Sequence, residues 1–361
     1  MPIPMWWVMS KQIFELLDKL EEQHTLSLDE YRLLAQIPSD DERFYAAQKA
    51  RRLADEAYGK TVYIRGLIEF SNICKNNCFY CGIRAGNHNC ERYRLTEEEI
   101  LDCCRIGYEL GFRTFVLQGG EDLHFTDDVF CNIIQQIKIR YPECAITLSL
   151  GERSRESYQR LFNAGADRYL LRHETADLLH YQKLHPIQMS FDARMECLKN
   201  LKEIGYQVGC GFMVQSPFQT PDTIAADLKF IETFSPEMCG IGPFIPHQDT
   251  IFKDKPAGSL TMTLWLLSII RLIHPDILLP ATTALGTIHP KGREFGILAG
   301  ANVVMPNLSP PSVREKYMLY NQKLCTGCEA AEHKKSLTET MLNIGYQVVT
   351  DRGDAKGHSQ K

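Results

Sequence analysis

Three cysteines crowded into eight residues are the most chemically distinctive feature of the sequence. Cys74, Cys78 and Cys81 follow an aliphatic run that predicts a β-strand, so they should lie in the loop after it. Iron–sulfur clusters are held by cysteine thiolates, usually four of them. A local set of three would leave one iron of a [4Fe–4S] cluster open to a ligand, as a catalytic metal centre requires. The trio therefore predicts one catalytic [4Fe–4S] cluster.

The remaining cysteines leave two alternatives open. Cys90 could supply a fourth cluster ligand, although a packed or solvent-facing thiol is the simpler interpretation. Cys325 and Cys328 form a C-x2-C pair, and such pairs are typical of structural zinc sites. Most other cysteines fall in apolar helix or strand patterns, where a free cysteine behaves as a small hydrophobic residue.

A glycine pair marks the end of the next predicted strand, in the segment Gln118-Gly119-Gly120-Glu121-Asp122. Glycine lets a ligand approach the backbone closely, because there is no Cβ in the way. Exposed N–H and C=O groups at Gly119 and Gly120 could hold the amine of an amino-acid ligand. A simple turn is the alternative interpretation of the same pair.

Two charged residues share the end of a later strand. Arg172 and Glu174 alternate with His173, so both side chains should point to the same side of the chain. Arg172 could bind a carboxylate, and Glu174 an amine or the hydroxyls of a ribose. Arg194, at the start of the next predicted helix, is a second candidate for a carboxylate. An ion pair between Arg172 and Glu174 that closes the rim of the fold is the alternative.

The elements that must position these residues alternate between strand and helix. Eight short β-branched or aliphatic runs predict strands over 62–70, 114–118, 145–150, 168–172, 207–214, 238–242, 277–281 and 301–305. Helical periodicity separates them over 96–110, 127–140, 154–164, 190–204, 221–234, 261–273 and 291–299. Eight such units predict an α/β fold, a (β/α)8 TIM-type barrel, with a doubly wound sheet as the competitor. In either fold the chemistry belongs at the carboxyl ends of the strands.

Four regions follow from this pattern. Residues 1–9 are expected to be an extension or disordered, and 10–58 to form N-terminal helices. The barrel should span 59–310, and 311–361 should form a C-terminal helical segment and a tail. The tail from 345 is polar and contains glycine, so we expect it to fray.

Composition excludes several classes of protein. Of the 361 residues 44% are hydrophobic and 24% charged, which is typical of a globular protein. The net charge of −5, with no basic run, argues against nucleic acid as a partner. No apolar run approaches a membrane span, and the N-terminus lacks the features of a signal peptide. Thirteen cysteines without an export signal indicate a reducing compartment, so we expect a cytoplasmic protein.

The spacing C-x3-C-x2-C, with Tyr80 directly before the last cysteine, resembles the radical S-adenosylmethionine (radical SAM) superfamily. The glycine pair some forty residues later is similar to the glycine-rich motif of the same superfamily. The resemblance implies S-adenosylmethionine as the cofactor on the open iron. It also implies reductive cleavage of that cofactor to a 5′-deoxyadenosyl radical, which requires an electron donor.

The segments at the ends of the predicted strands narrow the resemblance to one family within the superfamily. The segments 68–72, 148–152, 169–175, 240–247, 280–287 and 302–307 together resemble the HydE family of [FeFe]-hydrogenase maturases, over about residues 10–345. The resemblance implies that Glu174 and Arg194 hold polar ends of the cofactor. It places Gly119, Thr147 and Ser149 along the cofactor's path, although family members often carry serine where this chain has Gly119. It implies that the substrate cavity is lined by Thr282, Thr283, Met305, Tyr317 and Tyr320, the two tyrosines lying in a helix.

The same resemblance implies a substrate and partners. The substrate would be a small organometallic iron synthon that carries cysteine, carbon monoxide and cyanide. The partner maturase HydG would donate it, and the scaffold HydF would accept the product for assembly of the H-cluster. These residues could instead have structural roles. Met305 could pack in the core, and the tyrosines could lie on a helix face that packs against the barrel.

The sequence departs from the family at its C-terminus. Some HydE proteins hold a second, peripheral cluster on three cysteines, and Cys325 fits the first position. His333 and Ser336 stand where the others would be needed, and serine is a poor iron ligand. The sequence therefore predicts that the second cluster is absent, with a labile site involving Cys328 as the alternative.

Three rival functions remain on the sequence alone. The nearest is an amino-acid radical enzyme such as methylornithine synthase. Biotin synthase is more distant, because it needs a second cluster inside the barrel and only Cys210 lies convincingly on an inner strand. A non-enzymatic iron–sulfur or zinc scaffold is the rival from another class, and three cysteines rather than four argue against it.

Overall fold

The computed structural model of the chain describes residues 5–324 and 331–358. Cys325 and Cys328, the candidates for a zinc site or a labile cluster, lie outside the described residues. The strands are β1 (Thr61–Ile64), β2 (Gly66–Ser71), β3 (Thr114–Gly119), β4 (Ala145–Ser149), β5 (Arg168–Leu170), β6 (Gln207–Cys210), β7 (Met213–Val214), β8 (Met238–Cys239), β9 (Gly242–Pro243), β10 (Val303–Val304) and β11 (Gln347–Val349).

Parallel pairing closes these strands into a ring. Strands β2, β3, β4, β5, β6 and β8 form one sheet in that order, and β10 pairs with β1. Isolated parallel bridges complete the circle, from Met238 to Leu278, from Pro280 to Val303 and from Leu67 to Asn307. Barrel strand seven therefore consists of bridges around 278–280. The predicted α/β barrel is confirmed, and closure of the ring excludes the doubly wound sheet.

Helices follow the strands around the outside of the barrel. They are α1 (Met5–Gln23), α2 (Leu28–Leu34), α3 (Asp40–Tyr58), α4 (Glu97–Glu109), α5 (Asp127–Arg140), α6 (Arg155–Ala164), α7 (Leu178–Leu184), α8 (Phe191–Ile204), α9 (Pro221–Phe234), α10 (Leu260–Ile273), α11 (Thr283–Ile288), α12 (Gly292–Leu298), α13 (Pro311–Arg314) and α14 (Lys334–Asn343). Most begin at a capping side chain, such as Thr96, which forms a capping box with Glu99 at the start of α4. The seven helices predicted between strands all form, whereas the sequence pattern missed α7 and α11.

The N-terminal helices pack on the outside of the barrel against α9 and α10. The Tyr31 hydroxyl donates to Glu232 of α9 at 2.7 Å, and the Trp265 indole of α10 donates to the Leu34 carbonyl at 2.6 Å. Of the two alternatives predicted for residues 1–9, an extension or disorder, disorder does not hold from Met5 onward, because α1 begins there.

The C-terminal tail does not fray within the described residues, so that prediction is wrong. Strand β11 pairs with β1 in parallel, with Val348 opposite Val62. The chain then turns under the amino ends of the barrel strands. There Asp354 binds the guanidinium groups of Arg168 at 2.5 Å and Arg352 at 2.7 Å. A polar tail is ordered here because its charges meet buried opposite charges.

The ion pairs of the tail belong to a hydrogen-bonded network around Arg168 at the floor of the barrel. Arg168 also donates to the Thr114 hydroxyl at 2.9 Å and to the Arg352 carbonyl at 2.8 Å. Gln207 donates to Asp354 at 2.8 Å. The nearby arginines hold the pKa of Asp354 well below its usual range, although its partial burial acts in the opposite direction. The floor is therefore closed by charge rather than by apolar packing alone.

No helix in the described part of the chain is long and apolar enough to cross a membrane.

Candidate active site

A cavity of about 340 Å³ occupies the barrel interior and opens at the carboxyl ends of the strands. This is the end at which barrel enzymes carry their chemistry. The cavity is lined by all the site residues that the sequence predicts: Cys74, Cys78, Cys81, Tyr80, Gly119, Gly120, Thr147, Ser149, Arg172, Glu174, Arg194, Thr282, Thr283, Met305, Tyr317 and Tyr320. The fold therefore brings together residues that lie up to 246 positions apart in the sequence.

The cysteine loop is held rigidly at the rim of this cavity. The Arg92 guanidinium donates to four carbonyl groups of the loop, those of Asn72, Ile83, Arg84 and Asn87, at 2.5–3.0 Å. The Gly82 N–H donates to the Leu319 carbonyl at 2.8 Å, which ties the loop to the segment that carries the tyrosines. Because Arg92 binds four carbonyls of the loop at once, an irregular loop can stay in one conformation.

The three thiols line the same cavity, and thiolates are the ligands that bind the iron atoms of a cluster. The Glu121 N–H donates to the Cys74 sulfur at 3.4 Å. Among residues 5–324 and 331–358 no three His, Cys, Asp or Glu side chains converge on one metal position. A cubane cluster distributes its thiolates over separate iron atoms, so its ligands need not converge.

Burial raises the pKa of the Cys74 and Cys78 thiols and raises that of Cys81 to about 12. Metal coordination removes such protons outright, so three half-buried thiols along one cavity are chemically suited to metal rather than to free thiolate chemistry. Cys90 does not line the cavity, and its sulfur lies 3.5 Å from the Asn72 amide nitrogen. Packing, the simpler interpretation of Cys90, agrees with this position.

The glycine pair serves the chain's own packing as well as the cavity. A Cβ on Gly119 would lie 2.4 Å from the Phe70 ring. A Cβ on Gly120 would lie 2.2 Å from the Ile73 carbonyl oxygen and 2.8 Å from the Cys74 Cβ. Only glycine therefore lets the end of β3 approach the cysteine loop, and this close contact was not part of the sequence interpretation.

Glu174 is held in a strained position that aims it into the cavity. Its φ of +64° lies in the left-handed region, which costs a residue with a side chain on the order of 1–3 kcal/mol. Its N–H donates to the Gly211 carbonyl at 3.0 Å. The side chain is buried, and its Oε2 has no hydrogen-bond partner among the described residues. A buried, unpartnered carboxylate oxygen next to a cavity is suited to a cationic or hydroxyl-bearing ligand.

The turn that carries Glu174 is anchored from behind. His173 points away from the cavity, where its Nδ1 accepts from the Gly211 N–H at 3.2 Å and its Nε2 lies 3.4 Å from Asp227. The Ala176 N–H donates to the same carboxylate of Asp227 at 2.6 Å. The expected alternation is therefore observed, with Arg172 and Glu174 on the cavity side and His173 on the helix side.

The two arginines have different surroundings. Arg194 is buried and its Nε lies 2.7 Å from Glu152, a partner that the sequence interpretation missed. Burial raises the pKa of Glu152, although Arg194 acts against this. Within the described residues Arg172 forms no ion pair with Glu174, so the rim-closing pair considered as an alternative is not present. Arg172 instead lies against Gly240 inside the barrel, with its Nη2 3.8 Å from an ideal Cβ there.

Two threonine hydroxyls point into the cavity without a partner. The Oγ1 atoms of Thr147 and Thr282 are buried and have no hydrogen-bond partner within the described chain. Thr282 occupies the N-cap position of α11, but its hydroxyl does not cap that helix. Unsatisfied buried hydroxyls are costly and uncommon, so their presence fits a polar ligand such as S-adenosylmethionine.

Tyr80 is fixed by a buried histidine that the sequence interpretation also missed. The His185 Nδ1 lies 3.0 Å from the Tyr181 carbonyl and must donate to it, so Nε2 accepts from the Tyr80 hydroxyl at 3.2 Å. Burial lowers the pKa of His185 to about 3, which keeps the ring neutral and this arrangement intact.

The residues expected to bind the substrate lie in the part of the cavity wall next to strands seven and eight. Tyr317 and Tyr320 lie in an irregular segment after α13, so their predicted helix is wrong. That segment is tied to the cysteine loop and to the loop after β9, where the Asn321 N–H donates to the Pro246 carbonyl at 3.0 Å. Helix α13 stops at Arg314, whose guanidinium binds the Ser309 carbonyl and Glu332.

A buried ion pair in the same wall escaped the sequence interpretation. Lys323 reaches Glu69 of β2 at 2.8 Å, and Asn307 donates to the other oxygen of Glu69 at 2.8 Å. Both members line the cavity. An acidic residue inside an otherwise apolar strand was a detectable signal for Glu69. No local sequence pattern could indicate the role of Lys323, because its partner is 254 residues away.

Comparison with known proteins shows the family to which the chain belongs. Residues 68–231 match the family model of the radical SAM superfamily. The chain is 45% identical to the [FeFe] hydrogenase maturase subunit HydE of Thermotoga maritima, over 86% of this chain and 88% of the relative. It is 32% identical to the 3-methylornithine synthase of Methanosarcina barkeri, over 85% of this chain and 87% of the relative.

A solved structure agrees with the sequence relatives. The crystal structure of methylornithine synthase (PylB) matches with a TM-score of 0.81 and 28% identity, over 92% of this chain and 97% of that one. The family implies a [4Fe–4S] cluster and S-adenosylmethionine, and the thiols, the glycine turn and the unpartnered oxygens of the cavity fit both. The chain is thus an enzyme of the radical SAM superfamily and belongs, within it, to the family of the [FeFe] hydrogenase maturase HydE.

Proposed function

We propose that the chain cleaves S-adenosylmethionine reductively and acts in the maturation of [FeFe] hydrogenase. One [4Fe–4S] cluster is bound by Cys74, Cys78 and Cys81, and no second cluster is bound near the C-terminus. The observation that carries the proposal is the cavity of the barrel, which joins the cysteine loop to the residues expected to bind substrate. The similarity to a HydE protein over 86% of the chain supports a role in the maturation of [FeFe] hydrogenase.

The roles of individual residues follow from their positions. Glu174, Arg194, Thr147 and Ser149 bind the polar groups of S-adenosylmethionine, with Gly119, Gly120 and Tyr80 beside them. Arg172 lies against Gly240 and is suited to a carboxylate. The cluster and its ligand supply the radical chemistry when bound, while the protein orients the cofactor and excludes water.

The substrate is an iron synthon that carries cysteine, carbon monoxide and cyanide. Thr282, Thr283, Met305, Tyr317 and Tyr320 line its part of the cavity. HydG is the proposed donor of the synthon, HydF the acceptor of the product, and a separate protein the electron donor. A cavity of about 340 Å³ with polar groups placed along a largely apolar wall is large enough for such a small complex.

A first experiment tests the radical chemistry alone. The protein is reconstituted anaerobically with iron and sulfide, reduced with dithionite and mixed with S-adenosylmethionine. We expect 5′-deoxyadenosine by chromatography. An intact iron–sulfur spectrum without 5′-deoxyadenosine would overturn the proposal.

A second experiment separates the proposed substrate from the nearest rival. The gene is expressed in a host whose own HydE has been deleted, and hydrogenase activity is measured. We expect activity to return with this chain and not with a Cys78→Ser variant. The rival function, an amino-acid radical enzyme, predicts instead that the host forms 3-methylornithine when it expresses this chain.

A further inference from the structure

The segment that joins Glu174 to Arg194 contains the short helix α7, which the sequence pattern missed. Both ends of the segment line the cavity, whereas residues 175–193, all of which the structure describes, do not. Helix α7 begins after Asp177, whose side chain caps the first turn, and it ends at His185. The segment therefore forms a defined support just outside the part of the cavity wall that carries Glu174 and Arg194.

His185, at the end of α7, is held by two hydrogen bonds to one acceptor. Its backbone N–H donates to the Tyr181 carbonyl at 3.0 Å, and its Nδ1 donates to the same oxygen at 3.0 Å. Its ring stacks on that of Tyr181, with the centroids 4.0 Å apart and an angle of 25° between the planes. Phe191 packs against the same tyrosine ring at 5.6 Å. Both His185 and Tyr181 are buried, so the imidazole is fixed in one orientation.

The other nitrogen of this imidazole binds the cysteine loop. His185 Nε2 accepts from the Tyr80 hydroxyl at 3.2 Å, and the two rings meet edge to face with centroids 5.4 Å apart. Tyr80 directly precedes Cys81 and lines the cavity. A buried tyrosine hydroxyl needs a hydrogen-bond partner, and the imidazole provides it. His185 therefore acts on a ligand in the cavity through Tyr80 rather than by direct contact.

Two further contacts join the same segment to the cysteine loop. The Phe79 N–H donates to the Leu184 carbonyl at 3.0 Å. The Met189 sulfur lies 3.7 Å from the Cys78 sulfur. The first contact holds the backbone of the loop and the second lies against a thiol, so neither sets the side-chain torsion angles of Tyr80.

Apolar packing around the Tyr80 ring is not directional. The ring packs against an apolar cluster formed by Leu184, Met213, Phe244 and Phe252. A hydrogen bond has a preferred distance and angle, so the bond from the hydroxyl to His185 selects one orientation of the ring. A side chain that must be ordered when a ligand binds weakens the affinity, because its lost rotamer freedom opposes binding. His185 orders the ring before any ligand is present.

We propose that His185 is a positioning residue for S-adenosylmethionine, because it holds the Tyr80 ring in the cavity wall next to the cofactor. The inference rests on the proposed function, which puts Tyr80 beside S-adenosylmethionine. No bond forms or breaks in this role, and the imidazole accepts the same hydroxyl hydrogen bond with and without ligand. The contribution is to affinity rather than to the chemical step, so KM should change and kcat should not.

The first test is the affinity for S-adenosylmethionine, measured by titration calorimetry with the reconstituted and unreduced protein. His185→Phe keeps a ring that can stack on Tyr181 and removes the acceptor for the Tyr80 hydroxyl. We expect the dissociation constant to rise about fivefold, while iron content and cluster absorption remain those of the parent. The rate of 5′-deoxyadenosine formation at saturating S-adenosylmethionine should stay within about twofold of the parent's rate.

A double-mutant cycle shows whether His185 acts through Tyr80. Tyr80→Phe removes the donor and should also weaken binding about fivefold, and the double variant should bind no more weakly than either single variant. A defect unrelated to this hydrogen bond would add to the effect instead. His185→Gln is the conservative variant, since its amide offers an oxygen to the hydroxyl and an N–H to the Tyr181 carbonyl. It should restore the affinity to within about twofold of the parent's.

His274→Phe is the matched control. The His274 Nε2 donates to the Ile231 carbonyl at 2.9 Å and joins the end of α10 to α9, so this variant also loses a hydrogen bond from a histidine to a carbonyl. His274 does not line the cavity. We expect a lower thermal stability and the parent's affinity for S-adenosylmethionine.

Each outcome decides the proposal. If His185→Phe binds S-adenosylmethionine as tightly as the parent, or loses the cluster, the positioning role is wrong. Additive effects of the two single changes would overturn it as well. So would an unchanged affinity in Tyr80→Phe, which decides the question if His185→Phe does not fold. A parent that binds S-adenosylmethionine but does not cleave it after reduction would overturn the proposed function and leave the positioning role standing. A parent that does not bind it would overturn both.

Discussion

Buried polar groups around Arg168 at the floor of the barrel and those that line the cavity differ in their hydrogen bonding. At the floor Arg168 is fully buried and donates to Asp354, Thr114, Gln207 and the Arg352 carbonyl. In the wall of the cavity Glu174, Thr147 and Thr282 are also buried, yet each has an oxygen without a hydrogen-bond partner among the described residues.

An unsatisfied buried polar group costs on the order of 1–3 kcal/mol, so the two regions differ in what they contribute to stability. The floor network stabilises the fold and leaves little bonding capacity for a ligand. The cavity wall keeps its bonding capacity at the expense of stability, which is typical of a binding site. Mutations at the floor should therefore change stability alone, and mutations in the cavity wall should change ligand binding. The following predictions test this contrast.

The largest effect is expected at the cysteine loop. Cys78→Ser should abolish both the iron–sulfur absorption of the reconstituted protein and all production of 5′-deoxyadenosine, because a serine oxygen is a poor iron ligand. Cys131→Ser is the matched control, since that thiol lies on α5 and contacts the Arg160 carbonyl. Loss of the cluster in the control as well would mean that the assignment of the ligands is wrong.

The next effect is expected at the floor. Asp354→Asn leaves the buried guanidinium of Arg168 without its counter-ion and should lower the free energy of unfolding by about 3 kcal/mol near pH 7. The neighbouring arginines lower the pKa of Asp354 in the folded state, so the stabilisation is present above the unfolded pKa of about 4 and is lost as the pH falls. The difference from the parent should shrink below pH 4 in urea titrations. Binding of S-adenosylmethionine by the folded protein should not change.

In the cavity wall, Glu174→Gln keeps the shape of the side chain and removes its charge. We expect the dissociation constant for S-adenosylmethionine to rise about 30-fold, which corresponds to the loss of a charge-assisted hydrogen bond of about 2 kcal/mol. Equilibrium binding to the reconstituted protein provides the measurement. Glu156→Gln, at an exposed position in the first turn of α6, is the control. A fall in stability with unchanged affinity would place Glu174 with the floor residues.

The smallest effect is expected at Thr147. Thr147→Val replaces an unpartnered hydroxyl with a methyl group of similar size, so the ligand-free protein should be as stable as the parent or slightly more stable. Affinity for S-adenosylmethionine should fall about fivefold, or about 1 kcal/mol. Thermal unfolding with and without ligand separates the two effects. A loss of stability in the ligand-free protein would contradict the contrast between cavity wall and floor.

Local patterns were sufficient for most of the architecture. The eight strands, the seven helices between them and the caps such as Thr96 follow from short-range periodicity and turn chemistry. The cysteine trio and Arg172 with Glu174 could also be placed at strand ends, because a barrel puts every such end on the same face. Short helices such as α7 were missed, since seven residues carry too little periodicity.

Pairs of residues far apart in the chain could not be found in this way. The structure contains three such ion pairs: Glu152 with Arg194, Lys323 with Glu69, and Asp354 of the tail with Arg168. In each pair the two residues are too far apart in the sequence for a local pattern to indicate the contact. The tail from 345 has the composition of a frayed end, and only the buried arginine beneath the barrel orders it. Tertiary context overrides local propensity in such segments.

The sequence by itself determined the chemistry of the site, because the thiols, the carboxylate and the hydroxyls are properties of residue types at readable spacing. It also determined the barrel, because eight strand–helix units have few ways to bury their apolar faces. Only the tertiary structure decided which of the buried polar groups are satisfied and which are not. That distinction depends on distances between atoms brought together by closure of the ring, and it is what separates the binding cavity from the stabilising floor.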